Sequence, residues 1–81
     1  GKVAHLKVLI SDKPGSLSKI LNLVAKNNLD ILTSTSKSTE RGKTAEWTAI
    51  VDISMCKNIK RVEQELSELT NFVKKFEVDI E

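Results

Sequence analysis

Asp12, Lys13, Pro14, Gly15, Ser16 and Leu17 form the stretch of this 81-residue chain whose residue types and spacing suggest binding chemistry. Proline suits the first turn of a helix, and a glycine beside it lets another molecule approach the backbone closely. If a helix begins here, the N–H groups around Gly15 and Ser16 lack intrahelical partners and lie at the positive end of the helix dipole, a place that favours an anion. Asp12 is the nearest candidate cap, and an Asp before Pro-Gly is equally a turn residue. Ser16 can cap the helix or touch a ligand, with the structural role preferred.

The other reactive side chains point away from catalysis. The chain has no Tyr, one His (His5) and one Cys (Cys56), and no Ser–His–Asp set with a recognisable local pattern. Cys56 stands next to Lys57, a setting that can lower a thiol pKa, but with no second Cys or placed His it reads as an inert, partly buried thiol. His5 falls on the polar phase of a strand, as an exposed or interface residue. No paired thiols and no HxxxH spacing supply a metal site. The expectation is a non-enzyme that needs no cofactor and no metal.

Composition narrows the partners. Thirteen Lys and Arg against eleven Asp and Glu leave a formal charge of +2, and the basic residues are scattered from Lys2 to Lys75, a poor footprint for nucleic acid. Phe72, Phe76 and Trp47 are spaced for packing and do not form a base-stacking platform. No apolar run approaches the roughly 18 residues of a membrane span, and Gly1 to His5 lacks a signal-peptide pattern. These features lead to the expectation of a cytoplasmic protein, with residues 1–81 forming one domain, complete or cut from a longer chain.

The elements that must position the loop follow from periodicity. Ala4, Leu6, Val8 and Ile10 alternate with His5 and Lys7, predicting a half-buried strand over Val3 to Ile10, Leu9 being the exception. Leu17, Ile20, Leu21 and Val24 recur at helical spacing, predicting a helix over Ser16 to Asn27 with that stripe on a sheet. Leu29 to Thr39, with its tract of Thr33, Ser34, Thr35, Ser36 and Ser38, predicts an exposed edge strand. Glu40, Arg41, Gly42 and Lys43 make a turn, and Ala45, Trp47, Ala49, Val51 and Ile53 continue as the second arm of a hairpin. Asn58 caps a second helix carrying Ile59, Val62, Leu66, Leu69 and Val73. Phe76, Val78 and Ile80 alternate in a last strand. The order βαββαβ, with right-handed crossovers, predicts an α+β ferredoxin-like two-layer sandwich. It has an antiparallel four-stranded sheet, two helices on one face, and the first and third strands central.

Asp12 to Leu17, followed by Ile20, Leu21, Val24 and Ala25 and then Asn28-Leu29-Asp30-Ile31, resembles the signature of the ACT domain family. The resemblance implies a regulatory domain that binds a small-molecule effector, an amino acid above all, and passes its state to an attached or associated partner. It places that ligand against Asp12, Lys13, Pro14, Gly15, Ser16 and Leu17 and against the start of the second strand, Asp30 and Ile31. Serine-sensing relatives typically carry asparagine where this chain has Asp12 and Asp30, and a histidine where it has Ile10, so serine is not the implied effector. Asp12 and Asp30 could accept hydrogen bonds from a ligand ammonium, although Asp30 alone reads as a solvated strand end.

A helix of about 13 residues is roughly 20 Å long, so one chain cannot bring Asp12 and Asp30 together. If two second strands pair antiparallel about a two-fold axis, the first helices run side by side in opposite directions and each Asp12 approaches the partner's Asp30. The expected assembly is a homodimer or higher oligomer through the second-strand edge and first helix. The alternative is a module of the same fold that pairs without a ligand.

Overall fold

A computed structural model describes residues 2–40 and 42–81, so Arg41 of the expected turn lies outside the described residues. The chain runs β1 (Val3–Ser11), α1 (Ser16–Lys26), β2 (Asp30–Glu40), β3 (Thr44–Asp52), α2 (Ile59–Glu68) and β4 (Val73–Ile80). All pairings in the sheet are antiparallel and the order is β2-β3-β1-β4, which makes β1 and β3 central. This is the ferredoxin-like arrangement that the element order requires.

Alternation sets the two faces of the sheet. Ala4, Leu6, Val8 and Ile10 of β1 and Ala45, Trp47, Ala49 and Val51 of β3 are buried beneath the helices, and register stacks Val8 on Trp47 and Leu6 on Ala49. Ile20, Leu23 and Val24 of α1 and Val62 and Leu66 of α2 close the core from above. Trp47 is 1 % exposed, so it packs the core as its strand phase requires. Asn58 caps α2 by accepting a hydrogen bond from the Lys60 N–H at 3.1 Å.

Two expectations about the helices need correction. Leu21 is 38 % exposed, and Leu23 takes its place in the core beside Ile20 and Val24. The cause is the second helix: α1 packs on α2 as well as on the sheet, which turns its buried arc toward Leu23. Val73 does not extend α2; the helix stops at Glu68 with Leu69 as its C-cap, and Val73 opens β4. Here the step of four from Leu69 to Val73 spans a turn in which the Phe72 and Val73 N–H groups both donate to the Leu69 carbonyl.

The helices are clamped at Glu65. Its carboxylate meets the Lys26 ammonium at 2.7 Å, accepts from the Asn27 side-chain amide at 2.6 Å and faces Arg61 at 3.7 Å. Lys26 first, then Asn27, hold this carboxyl below its ordinary range.

Candidate functional site

The loop between β1 and α1 is built on backbone geometry. Gly15 is the N-cap of α1 with φ +89°, a left-handed conformation in which no atom lies within 4 Å of where a Cβ would stand. The first turn of α1 carries no acidic residue and no side-chain cap. Among the described residues, the Ser16 N–H donates to the Lys13 carbonyl, and the Leu17 and Ser18 N–H groups carry no backbone partner. Such a helix start is receptive to an anion.

Asp12 does not cap the helix. Its N–H donates to the Lys43 carbonyl at 2.9 Å, and its carboxylate accepts from the Ser38 hydroxyl at 3.2 Å, near the far end of β2. With αL glycine as the cap, the chain turns into the helix too sharply for an Asp three residues upstream to reach the first N–H groups. Lys13 is also engaged: its ammonium lies 5.4 Å from the centre of the Phe72 ring, which Lys19 approaches at 5.7 Å. Pro14 is exposed and Leu17 half-buried. Ser16 is 1 % exposed, and its Oγ has no hydrogen-bond partner among the described residues.

The β2 strand supplies the rest of the site. All eleven of its residues are exposed. Register shifts between Ile31 and Thr33, leaving Leu32 as the extra residue of a β-bulge. The bulge reverses the phase from Thr33 to Ser38, and a second shift between Ser38 and Glu40 ends that stretch. Ile31 pairs with buried Val51, and beyond the bulge Ser34, Ser36 and Ser38 pair with buried Ala49, Trp47 and Ala45, so all four share the helix side. Thr33 and Thr35 pair with Ile50 and Thr48 on the open face. If Leu32 instead paired in regular register with Ile50, Ser38 would fall opposite Thr44 on the open face, away from Asp12.

Asp30 pairs with Asp52, on the open side of the sheet. It stands eight residues from Ser38, about 25 Å along an extended strand. Within one chain, therefore, the structure groups Asp12, the loop and Ser38 at one end of β2 and leaves Asp30 at the other, on the opposite face. Ile31 is the neighbouring residue that shares the loop's face.

Sequence reasoning missed three residues here: Ser38, which holds Asp12, and Leu21 on α1 and Leu32 in β2, which remain exposed. Around α1, Lys19, Leu23 and Lys26 line a groove against Glu65, Glu68 and Leu69 of the second helix region. Leu17 and Leu21 lie roughly half a helical turn away from that groove, on the β2 side.

Other concavities are shallow. One of about 410 Å³ lies on the open face among His5, Lys7, Thr33, Thr35, Thr48 and Glu77. Among the described residues no group of His, Cys, Asp or Glu could hold a metal ion, and no helix is long and apolar enough to cross a membrane.

The ferredoxin-like fold with a glycine-capped loop at the first helix defines a class that hosts many activities. Within it the family is plain. The profile of the ACT domain matches residues 4–72, and the chain belongs to this family. An ACT domain-containing protein of Caldicellulosiruptor saccharolyticus is 36% identical over 78 residues, which cover 96% of this chain and 51% of the relative. The chain thus spans about half the length of that curated relative. Among solved structures, the ACT domain from the GTP pyrophosphokinase of Chlorobium tepidum superposes with a TM-score of 0.66 at 17% identity, covering 94% of this chain and 95% of that one. A formyltetrahydrofolate deformylase from Pseudomonas putida reaches 0.82 at 8% identity, covering 98% and 29%. The regulatory subunit of aspartate kinase from Thermus thermophilus reaches 0.70 at 12%, covering 95% and 50%. At these identities the structural likenesses speak to the fold.

Proposed function

We propose that this ACT domain is a sensor: it binds an amino acid at a seam between two copies and passes the bound state to an attached or associated partner. The observation that carries the reading is the contrast between the two sheet edges. Exposed edges are normally protected by charge. In β4, Lys74, Lys75, Glu77 and Asp79 supply it, whereas from Ile31 to Ser36 β2 carries no charged residue. The β2 edge is suited to pairing and the β4 edge is not.

Antiparallel pairing of two β2 strands about a two-fold axis at Thr35 sets Ser38 opposite position 32 of the partner copy. The loop with Asp12 then faces the partner's residues at the start of β2. An amino-acid carboxylate fits the N–H groups at the start of α1, and its ammonium fits the Asp12 carboxylate held by Ser38. Asp30 lies at the end of the same seam. The neighbours include the regulatory subunit of an aspartate kinase, which agrees with a regulatory and non-catalytic role. A cytoplasmic location, where free amino acids are sensed, goes with this reading.

The test is a thermal-shift screen against the standard amino acids, with nucleotides and sugar phosphates as controls. A ligand at 100 times its dissociation constant stabilises the folded state by about 2.7 kcal/mol, and in a domain of this size each kcal/mol moves Tm by about 4–8 °C. An amino acid that raises Tm supports the proposal. No shift with any compound overturns ligand sensing and leaves a pairing module of the same fold.

A further inference from the structure

Resting on that reading of the seam, we infer that the effector is an amino acid with an aliphatic side chain, and that Leu32 in the β2 bulge selects it. Among the described residues five large hydrophobic side chains are exposed, and three of them, Leu21 at 38%, Ile31 at 37% and Leu32 at 52%, lie on the α1 and β2 side. Half-buried Leu17 adjoins them on the helix. The remaining surface of β2 that faces the helix side is made of Ser34, Ser36 and Ser38.

The bulge gives this apolar group its place. It inserts Leu32 between Ile31 and Thr33 without a partner on β3, at the position that the two-fold pairing sets opposite Ser38. Each Asp12 loop therefore faces an apolar wall made of the partner copy's β2 start. The register also turns Asp30 to the open face, so the strand brings no second carboxylate to the loop's side. A ligand held by its carboxylate at α1 and its ammonium at Asp12 directs its side chain toward that wall. A charged or hydroxylated side chain there loses water without gaining a partner, whereas an aliphatic one gains contact.

The experiment is calorimetric titration of the 81-residue chain with leucine, isoleucine, valine, alanine, serine, aspartate and lysine. The same series is run on Leu32→Ser, and the mass of both proteins is followed by light scattering. Each methylene in such a pocket contributes about tenfold in discrimination, so leucine, isoleucine or valine should bind at least about tenfold more tightly than alanine. Leu32→Ser should remove that advantage while the mass stays that of a dimer. Tighter binding of serine, aspartate or lysine, or leucine affinity unchanged in Leu32→Ser, overturns the inference and leaves amino-acid sensing standing. Binding of no amino acid removes both. If Leu32→Ser is a monomer, Leu32→Val keeps an apolar contact. It must shift preference toward the longer aliphatic ligands, and an unchanged ranking overturns the inference.

Discussion

Gly15 and Ser16 stand side by side at the start of α1 and show opposite economies. Gly15 occupies φ +89°, where a side chain is strained even though open space surrounds it. Gly15→Ala should cost about 1–2 kcal/mol, read as a Tm lowered by several degrees with the fold retained by circular dichroism. Ser16 buries a hydroxyl without a partner among the described residues, an arrangement that costs about 1–3 kcal/mol. Ser16→Ala should therefore raise Tm, and a fall would show that the hydroxyl is satisfied in solution. Glu65 contributes to the response to acid. Its folded pKa lies below its ordinary value of 4.5, so the carboxylate stabilises the fold above about that pH and loses its contribution as pH falls through the lowered value. Glu65→Gln should flatten the acid limb of a Tm–pH profile below the ordinary carboxylate value of 4.5 and lower Tm at neutral pH.

At the scale of elements, alternation and capping were legible because each rests on local chemistry. Four buried residues of β1 recur at period two, Trp47 and its alternating neighbours mark β3, and Asn58 takes up an N–H of α2. Asn58→Ala should cost about 1 kcal/mol in chemical denaturation. The rotation of α1 was not legible, because choosing Leu23 over Leu21 depends on where α2 lies. Nor was the bulge, since a one-residue slip in pairing is a property of two strands and Leu32 alone does not announce it. The candidate site divides in the same way. The loop from Asp12 to Leu17 could be read from its turn chemistry, whereas the contact between Asp12 and Ser38 joins residues 26 positions apart and depends on the bulge. Deleting Leu32 should close the bulge and leave Ser38 opposite Ala45, so the NMR signals of the Asp12 loop should persist, and their loss would contradict this register.

For the whole molecule the decisive feature is the exposed, mostly uncharged β2 edge beside an apolar rim on α1. A domain of 81 residues buries a modest core, and joining two sheets through β2 would cover Leu21, Ile31 and Leu32. Ligand and dimer are predicted to be coupled, because in the proposed pairing the loop and the start of β2 would meet only across the two-fold axis. In that pairing residue 34 of one copy stands opposite residue 36 of the other, so Ser34→Lys combined with Ser36→Lys sets four like charges against each other in two opposed pairs. The most direct test compares this double variant with the parent chain by sedimentation equilibrium and by titration with the amino acid that raises the parent's Tm most. The expected result is a dimer that binds for the parent and a folded monomer with affinity lost for the variant. A folded monomer that binds the amino acid with the parent's affinity would contradict it.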